Sequence, residues 1–222
     1  MPFLLALYET HYRPMDIALM PIQALDPTLA KMQQHVQAWE ATSDRRAIFL
    51  TCYTMMTQNM LVALAAGEFQ NRDWADALLR HFADYYFEAL AAYEGRLAST
   101  PPVWQHTFEC ASRPDLHVIQ HLFMGVNAHI NYDLVFVLEE LLRPEWPQLD
   151  TAAVESYYRD HCHVNEVIFR TINAVQDEVV ERYSPLMDVV DKGLGNLDEH
   201  FLGQVIRRWR EEVWSSAIEL LN

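Results

Sequence analysis

Residues 118–138 contain no Lys, Arg or Glu, and this feature constrains the fold more than any other. The whole chain carries 16 Lys and Arg and 31 Asp and Glu, so a helix without such residues is expected to be buried on most sides. Apolar residues recur along this segment at helical spacing. The segment therefore predicts the most buried helix of the protein, at the centre of a helical bundle.

The rest of the sequence has helix start and stop signals, and it lacks the alternating pattern of strands. Residues 1–27 contain four prolines and are predicted to be an irregular N-terminal segment. Helices are predicted from Asp26-Pro27 to Thr42, from Ser43 or Asp44 to Gly67, from Arg72 to Arg96, over 103–112, from Pro114-Asp115 to Leu142, from Asp150 or Thr151 to Tyr183, and from Asp198 to the end. We therefore expect one all-α domain over residues 1–222, an antiparallel bundle of six to seven helices.

Charge and cysteine content exclude several classes of protein. The net charge of −15 repels phosphate backbones, so no nucleic-acid partner is expected. No stretch of about 18 apolar residues was identified, so no membrane span is expected. The N-terminus lacks the basic start of a signal peptide. Three widely spaced cysteines without a CxxC pair indicate reduced thiols in a cytoplasmic protein.

Polar residues on the apolar central helix indicate a site, because a buried polar group without a partner costs about 1–3 kcal/mol. His117, His121, Gly125, His129 and Asp133 follow one another at steps of four residues, which traces a slowly winding stripe. Gly125 lacks a side chain and is expected to leave space between His121 and His129. Catalytic roles are therefore predicted for His121, His129 and Asp133.

Three functions fit this stripe. The first is an enzyme in which His121, His129 and Asp133 hold one zinc or iron ion that activates water or oxygen, as in a hydrolase or oxygenase. The second is a metal-free isomerase, lyase or cyclase, in which Asp133 orients His129 as a general base for a small apolar substrate. The third is a binding or structural module whose polar network only fixes the helix register.

The segment His121-Leu-Phe-Met-Gly-Val-Asn-Ala-His-Ile-Asn-Tyr-Asp-Leu134 resembles the signature of the DUF5995 family, His-Leu-Leu-Leu-Gly-Met-Asn-Ala-His-Ile-Asn-Tyr-Asp-Leu. Weaker similarity extends over most of the chain. The residues that support this weaker similarity are Asp84-Tyr85-Tyr86-Phe87 with Leu90, Val164-Asn165, Arg208 and Trp214. The resemblance implies an all-α fold and carries no activity. His117 lies outside the signature.

Further residues are predicted to contact a small-molecule substrate. The family resemblance singles out Arg208 among the arginines of the last helix, and it implies a clamp for a substrate carboxylate there. Alternate residues on a helix point about 200° apart, so His161, Cys162 and His163 are not expected to form one site. A homodimer is left open by the sequence. The predicted substrate contacts are Gly125, Asn127, Asn131, Arg208 and Tyr85.

Overall fold

The computed structural model describes residues 26–175, 179, 181–183 and 199–222. Every regular element in these ranges is helical, which confirms the predicted all-α domain. The helices are α1 (Pro27–Ala41), α2 (Arg46–Ala65), α3 (Arg72–Glu94), α4 (Pro102–Cys110), α5 (Val118–Ala128), α6 (Leu134–Leu142), α7 (Thr151–Val175), α8 (Glu181–Tyr183) and α9 (Glu199–Leu221). A π-turn, His129–Asp133, joins α5 to α6, and a 3-10 turn, Trp146–Gln148, precedes α7.

Local side-chain chemistry sets the helix starts. Asp26 caps α1, where its Oδ1 accepts from the backbone N–H of Thr28 at 2.9 Å, and Pro27 occupies the first turn. Asp44 accepts from the backbone N–H of Arg46 at 2.9 Å and so stabilises the start of α2. These two starts agree with the predicted caps.

The start of α5 lies later than predicted. The structure places the N-cap at His117, whose Nδ1 accepts from the backbone N–H of Ile119 at 3.2 Å, while Gln120 accepts from the His117 N–H. This reciprocal pair holds the helix start at 118 and leaves Pro114-Asp115 in a turn. The predicted irregular segment before residue 26, and the continuation of α7 from 176 towards Tyr183, lie outside the described residues except for 179 and 181–183.

Residues 118–138 are not the most buried segment, because α2 is equally buried. Ten of the 20 residues of α2 are buried, against ten of the 21 positions in 118–138. The reason is visible in the sequence, since residues 47–67 also lack Lys, Arg and Glu. By length and composition alone, α2 is the one helix of the described residues that could cross a membrane, and 61% of its apolar window is buried inside the protein.

The centre of the domain is an aromatic core formed where α2, α3 and α4 meet the π-turn. Phe49 and Tyr53 of α2, Tyr86 of α3 and Trp104 of α4 are buried there. A second apolar cluster joins α6 to α9 and α3 around Leu134, and its members include Leu78, Val137, Leu138, Leu142, Val213 and Ala217. The π-turn lies between the two clusters, so its side chains are held from several sides.

Candidate active site

The π-turn brings His129 and Asp133 together. The backbone N–H of Leu134 bonds to the carbonyl of His129, five residues back, which defines the turn. Such turns inside α-helices occur frequently at functional sites. The Nδ1 atom of His129 lies 2.9 Å from Oδ2 of Asp133, and both residues are buried. The predicted His129–Asp133 pair is therefore formed.

A third residue fixes the carboxylate. The indole Nε1–H of Trp104 donates to Oδ1 of Asp133 at 2.9 Å and lies 3.0 Å from Oδ2. The carboxylate accepts from both neighbours, so the proton of a neutral His129 is placed on Nδ1. The lone pair of the imidazole is then on Nε2. Trp104 is 29 residues from Asp133, and sequence reasoning missed it because nothing local indicates this contact.

Aromatic rings enclose the imidazole of His129. The Phe82 ring stacks on it with a centroid distance of 3.4 Å and an interplanar angle of 7°. The Tyr53 ring meets it edge-on at 4.3 Å. Burial among these rings lowers the pKa of His129, and the hydrogen bond to Asp133 and its charge offset only part of that effect. His129 is therefore neutral at neutral pH, as a general base must be.

The Nε2 atom of His129 is buried and has no hydrogen-bond partner among the described residues. His129 also lines a cavity of about 200 Å³. Buried polar atoms in proteins are nearly always paired, so an unpaired one beside a cavity indicates a place for a ligand. The dyad therefore has an unpaired imidazole nitrogen on a residue that lines a space large enough for a small molecule.

The cavity is almost entirely apolar. Thr57, like His129, is a polar residue of the lining, and its Oγ1 is also buried without a partner among the described residues. Cys52 reaches the cavity too, but burial raises the pKa of its thiol to about 12, so it is protonated and weakly nucleophilic. The apolar lining comes from α2, α3, α5, α7 and α9, and it includes Met56, Leu79, Phe123, Ile168, Leu202 and Ile206.

The space predicted beside Gly125 does not exist. A Cβ atom built on Gly125 would lie 2.3 Å from Cγ of Phe49, so the Phe49 ring occupies that position. Gly125 permits close packing of α5 on α2 and does not line the cavity, and its contact with substrate stays a prediction. Phe49 is also one of the residues that line the cavity.

Three further predicted substrate contacts lie outside the cavity lining. Asn127 and Asn131 are both exposed, and Nδ2 of Asn131 donates to Oδ1 of Asn127 at 2.9 Å. The Tyr85 hydroxyl donates to Glu140 at the surface, at 2.7 Å. The spacing of these residues placed them on the correct helices, but each side chain turns towards solvent or a surface partner.

His121 is buried, and its Nε2 has no partner among the described residues. It does not line the cavity. Eight residues separate it from His129, about 12 Å along a helix axis. Throughout the described ranges, no three His, Cys, Asp or Glu side chains are grouped so that they could hold a metal ion. The structure therefore does not bring together His121, His129 and Asp133 as the predicted ligand set.

Arg208 lies on the exposed face of α9, where its Nε donates to Glu212 at 2.9 Å. The arginine that reaches the cavity is Arg210, which is only 3% exposed. Arg208, which the family resemblance favoured, does not line the cavity, and its role as a clamp stays a prediction. Helical spacing indicates that Arg210 is the buried arginine, since it falls on the face of Ile206, Val213 and Ala217.

The three residues around Cys162 diverge, as the helix geometry predicts. His161 is fully buried against α9, where its Nε2 lies 3.0 Å from the carbonyl oxygen of Arg210. His163 faces the turn that follows α2, where its Nε2 lies 2.9 Å from Oε2 of Glu68. Cys162 is close to Glu211, with 3.8 Å between Sγ and Oε1.

The fold and the site define a class: an all-helical domain in which a buried His–Asp pair on a π-turn faces an apolar cavity. The model of a family of unknown function, DUF5995, matches residues 25–222. The chain belongs to this family, as the signature around His129 predicted. Neither the curated proteins nor the solved structures gave a match to this chain.

Proposed function

We propose that this protein is an enzyme that transfers a proton in a small, largely apolar molecule, with His129 as the general base. The observation that carries the proposal is the Nε2 atom of His129, which is buried and unpartnered among the described residues and belongs to a residue that lines the cavity. Isomerases, lyases and cyclases use proton transfer of this kind without a cofactor.

The dyad supplies the features that a general base needs. Asp133 keeps the Nδ1 proton in place, so the Nε2 lone pair is available to take a proton from substrate. The imidazolium that forms is stabilised by the adjacent carboxylate. Return of the proton to another atom gives an isomer, and departure of a leaving group gives an elimination product. The Thr57 hydroxyl can bond to a polar group on the same substrate.

The metal-dependent hydrolase or oxygenase predicted from the sequence receives less support. It requires His121 as a third ligand, and His121 does not line the cavity. One oxygen of Asp133 accepts from His129, and both are within bonding distance of Trp104 Nε1. These bonds support an orienting role for the carboxylate rather than a ligating one.

The experiment is an untargeted conversion assay. The full chain is incubated with an apolar metabolite extract, and the mixture is compared by liquid chromatography and mass spectrometry with a heat-denatured control. We expect a compound that the wild type and a His81→Gln variant consume, with a product of equal mass, or of a mass lower by the leaving group together with the proton removed by His129. A His129→Gln variant should not consume it. His81 is exposed on α3 and serves as the matched control.

A non-catalytic binding module is the second candidate, and the tight stacking of Phe82 on His129 favours it. If the protein is a binding module, a compound from the extract should co-elute with the wild type in gel filtration and be recovered with its mass unchanged. Retention without conversion, equal in wild type and His129→Gln, would replace the enzyme proposal with this one.

A further inference from the structure

Arg210 is a buried cation that pairs with no carboxylate among the described residues. Its side chain is 3% exposed, and across the described residues it forms no ion pair with any carboxylate. Burial lowers the pKa of its guanidinium to about 10, which still leaves it charged at neutral pH. A buried charge is costly unless it is paired, so its retention here requires an explanation.

The groups that hold Arg210 are neutral. Its Nε donates to Oδ1 of Asn165 at 2.9 Å, and its Nη2 donates to the carbonyl oxygen of His161 at 2.8 Å. Nη2 also lies 3.3 Å from Nδ1 of His161. Because His161 Nε2 faces the Arg210 carbonyl, its proton is on Nε2, and Nδ1 acts as an acceptor. Burial holds the pKa of His161 well below its ordinary value, so the ring is neutral.

These contacts leave one end of the guanidinium free. No acceptor for Nη1 of Arg210 occurs among the hydrogen bonds of the described residues, and Arg210 lines the same cavity as His129. The neutral groups orient the guanidinium, and the N–H groups of Nη1 have no partner in the described part of the chain. The nearby Glu211 accepts from the Tyr158 hydroxyl instead.

We propose that Arg210 binds the carboxylate of the ligand, and that the ligand is a small apolar monocarboxylic acid. The guanidinium balances a single negative charge, and the two N–H groups of Nη1 can donate to the carboxylate oxygens. A phosphate dianion would bring a second, unbalanced charge into an apolar space. The cavity of about 200 Å³ exceeds the roughly 150 Å³ that holds benzene. This inference rests on the proposed function, because it concerns the same cavity.

The test compares octanoate with 1-octanol, which share one chain length and differ in charge. Binding to the full chain is measured by isothermal titration calorimetry at neutral pH, and by the rise in unfolding temperature. The wild type and an Arg208→Met control should bind octanoate about tenfold more tightly than 1-octanol, as expected for a charge-assisted bond. Arg210→Met should lose that preference and keep its affinity for 1-octanol.

Two controls keep the test decisive. Circular dichroism shows whether Arg210→Met is folded. If that variant is unfolded, Arg210→Lys, which retains the charge, takes its place. Weaker octanoate binding by Arg210→Lys with unchanged 1-octanol binding again supports the proposal, since a lysine cannot reproduce the planar guanidinium. Equal binding of octanoate and 1-octanol by the wild type, or a preference that survives in the folded variant, overturns the carboxylate proposal and leaves the proposed function intact. Binding of neither probe counts against both.

Discussion

Replacing Asp133 with Asn should reverse the tautomer of His129. In the wild type, both Asp133 oxygens accept, one from Trp104 and the other mainly from His129. An Asn side chain has one acceptor oxygen and one donor NH2. If the oxygen keeps the Trp104 bond, the NH2 faces Nδ1 of His129, which must then give up its proton. The proton moves to Nε2, where the general base needs a lone pair.

The structure also sets the size of the effect on stability. The substitution removes the charge from a hydrogen bond between two buried residues, and bonds to charged groups contribute about 1.5–3 kcal/mol. The variant no longer buries a carboxylate, which offsets part of the loss. We therefore expect the free energy of unfolding to fall by about 1–2 kcal/mol while the helical content stays unchanged.

The assay needs no substrate. Nitrogen-15 chemical shifts of the imidazole distinguish the two tautomers, and urea unfolding measures the stability. Asp115→Asn is the matched control, because Asp115 is exposed and pairs with Arg113 at the surface. It should leave the free energy of unfolding nearly unchanged. An Asp133→Asn protein whose His129 keeps its proton on Nδ1 would refute the assignment of the dyad.

Three further predictions concern packing, pH and metal. Gly125→Ala should lower the free energy of unfolding by about 1–3 kcal/mol through overpacking against Phe49, and unchanged stability in urea unfolding would contradict the close contact. Burial lowers the pKa values of His129 and His161, so the unfolded chain binds more protons than the folded one below about pH 6.5. The free energy of unfolding should therefore fall as the pH drops through that range, and it should fall less steeply in His129→Gln than in the wild type. Urea unfolding at several pH values measures both slopes, and equal slopes would count against this account. Metal analysis of protein purified without an affinity tag should give well under one equivalent of zinc or iron, and a stoichiometric metal would restore the ligand set predicted from the sequence.

The helices could be predicted because their signals are local. Asp26-Pro27 and Asp44 act on backbone groups two or three residues away, so the sequence alone locates the starts of α1 and α2. The pairing of His129 with Asp133 was predictable for the same reason, since four residues separate them. The start of α5 was missed because His117 caps it with a ring nitrogen, a less common cap than Asp or Ser.

The surroundings of the pair could not be predicted because they depend on distant parts of the chain. Phe49 fills the space beside Gly125 from α2, and Trp104 reaches Asp133 from α4. No spacing rule connects these positions. Arg210 is a different case, because its place on the apolar face of α9 was visible in the sequence. Helical phase was a better guide there than similarity to the family, which favoured Arg208.

The π-turn makes the length of this segment as important as its composition. It accommodates one more residue than a regular helical turn, and each residue of an α-helix rotates the following ones by about 100°. Deleting a single residue between His129 and Asp133 would let α5 and α6 merge into one regular helix. The wide turn already absorbs the extra residue, so the apolar side of α6, including Val137 and Leu138, would keep its packing against α9. The deletion would instead shorten the spacing of His129 and Asp133 by one residue, so it should disrupt the His129–Asp133 pair while it leaves the second apolar cluster intact.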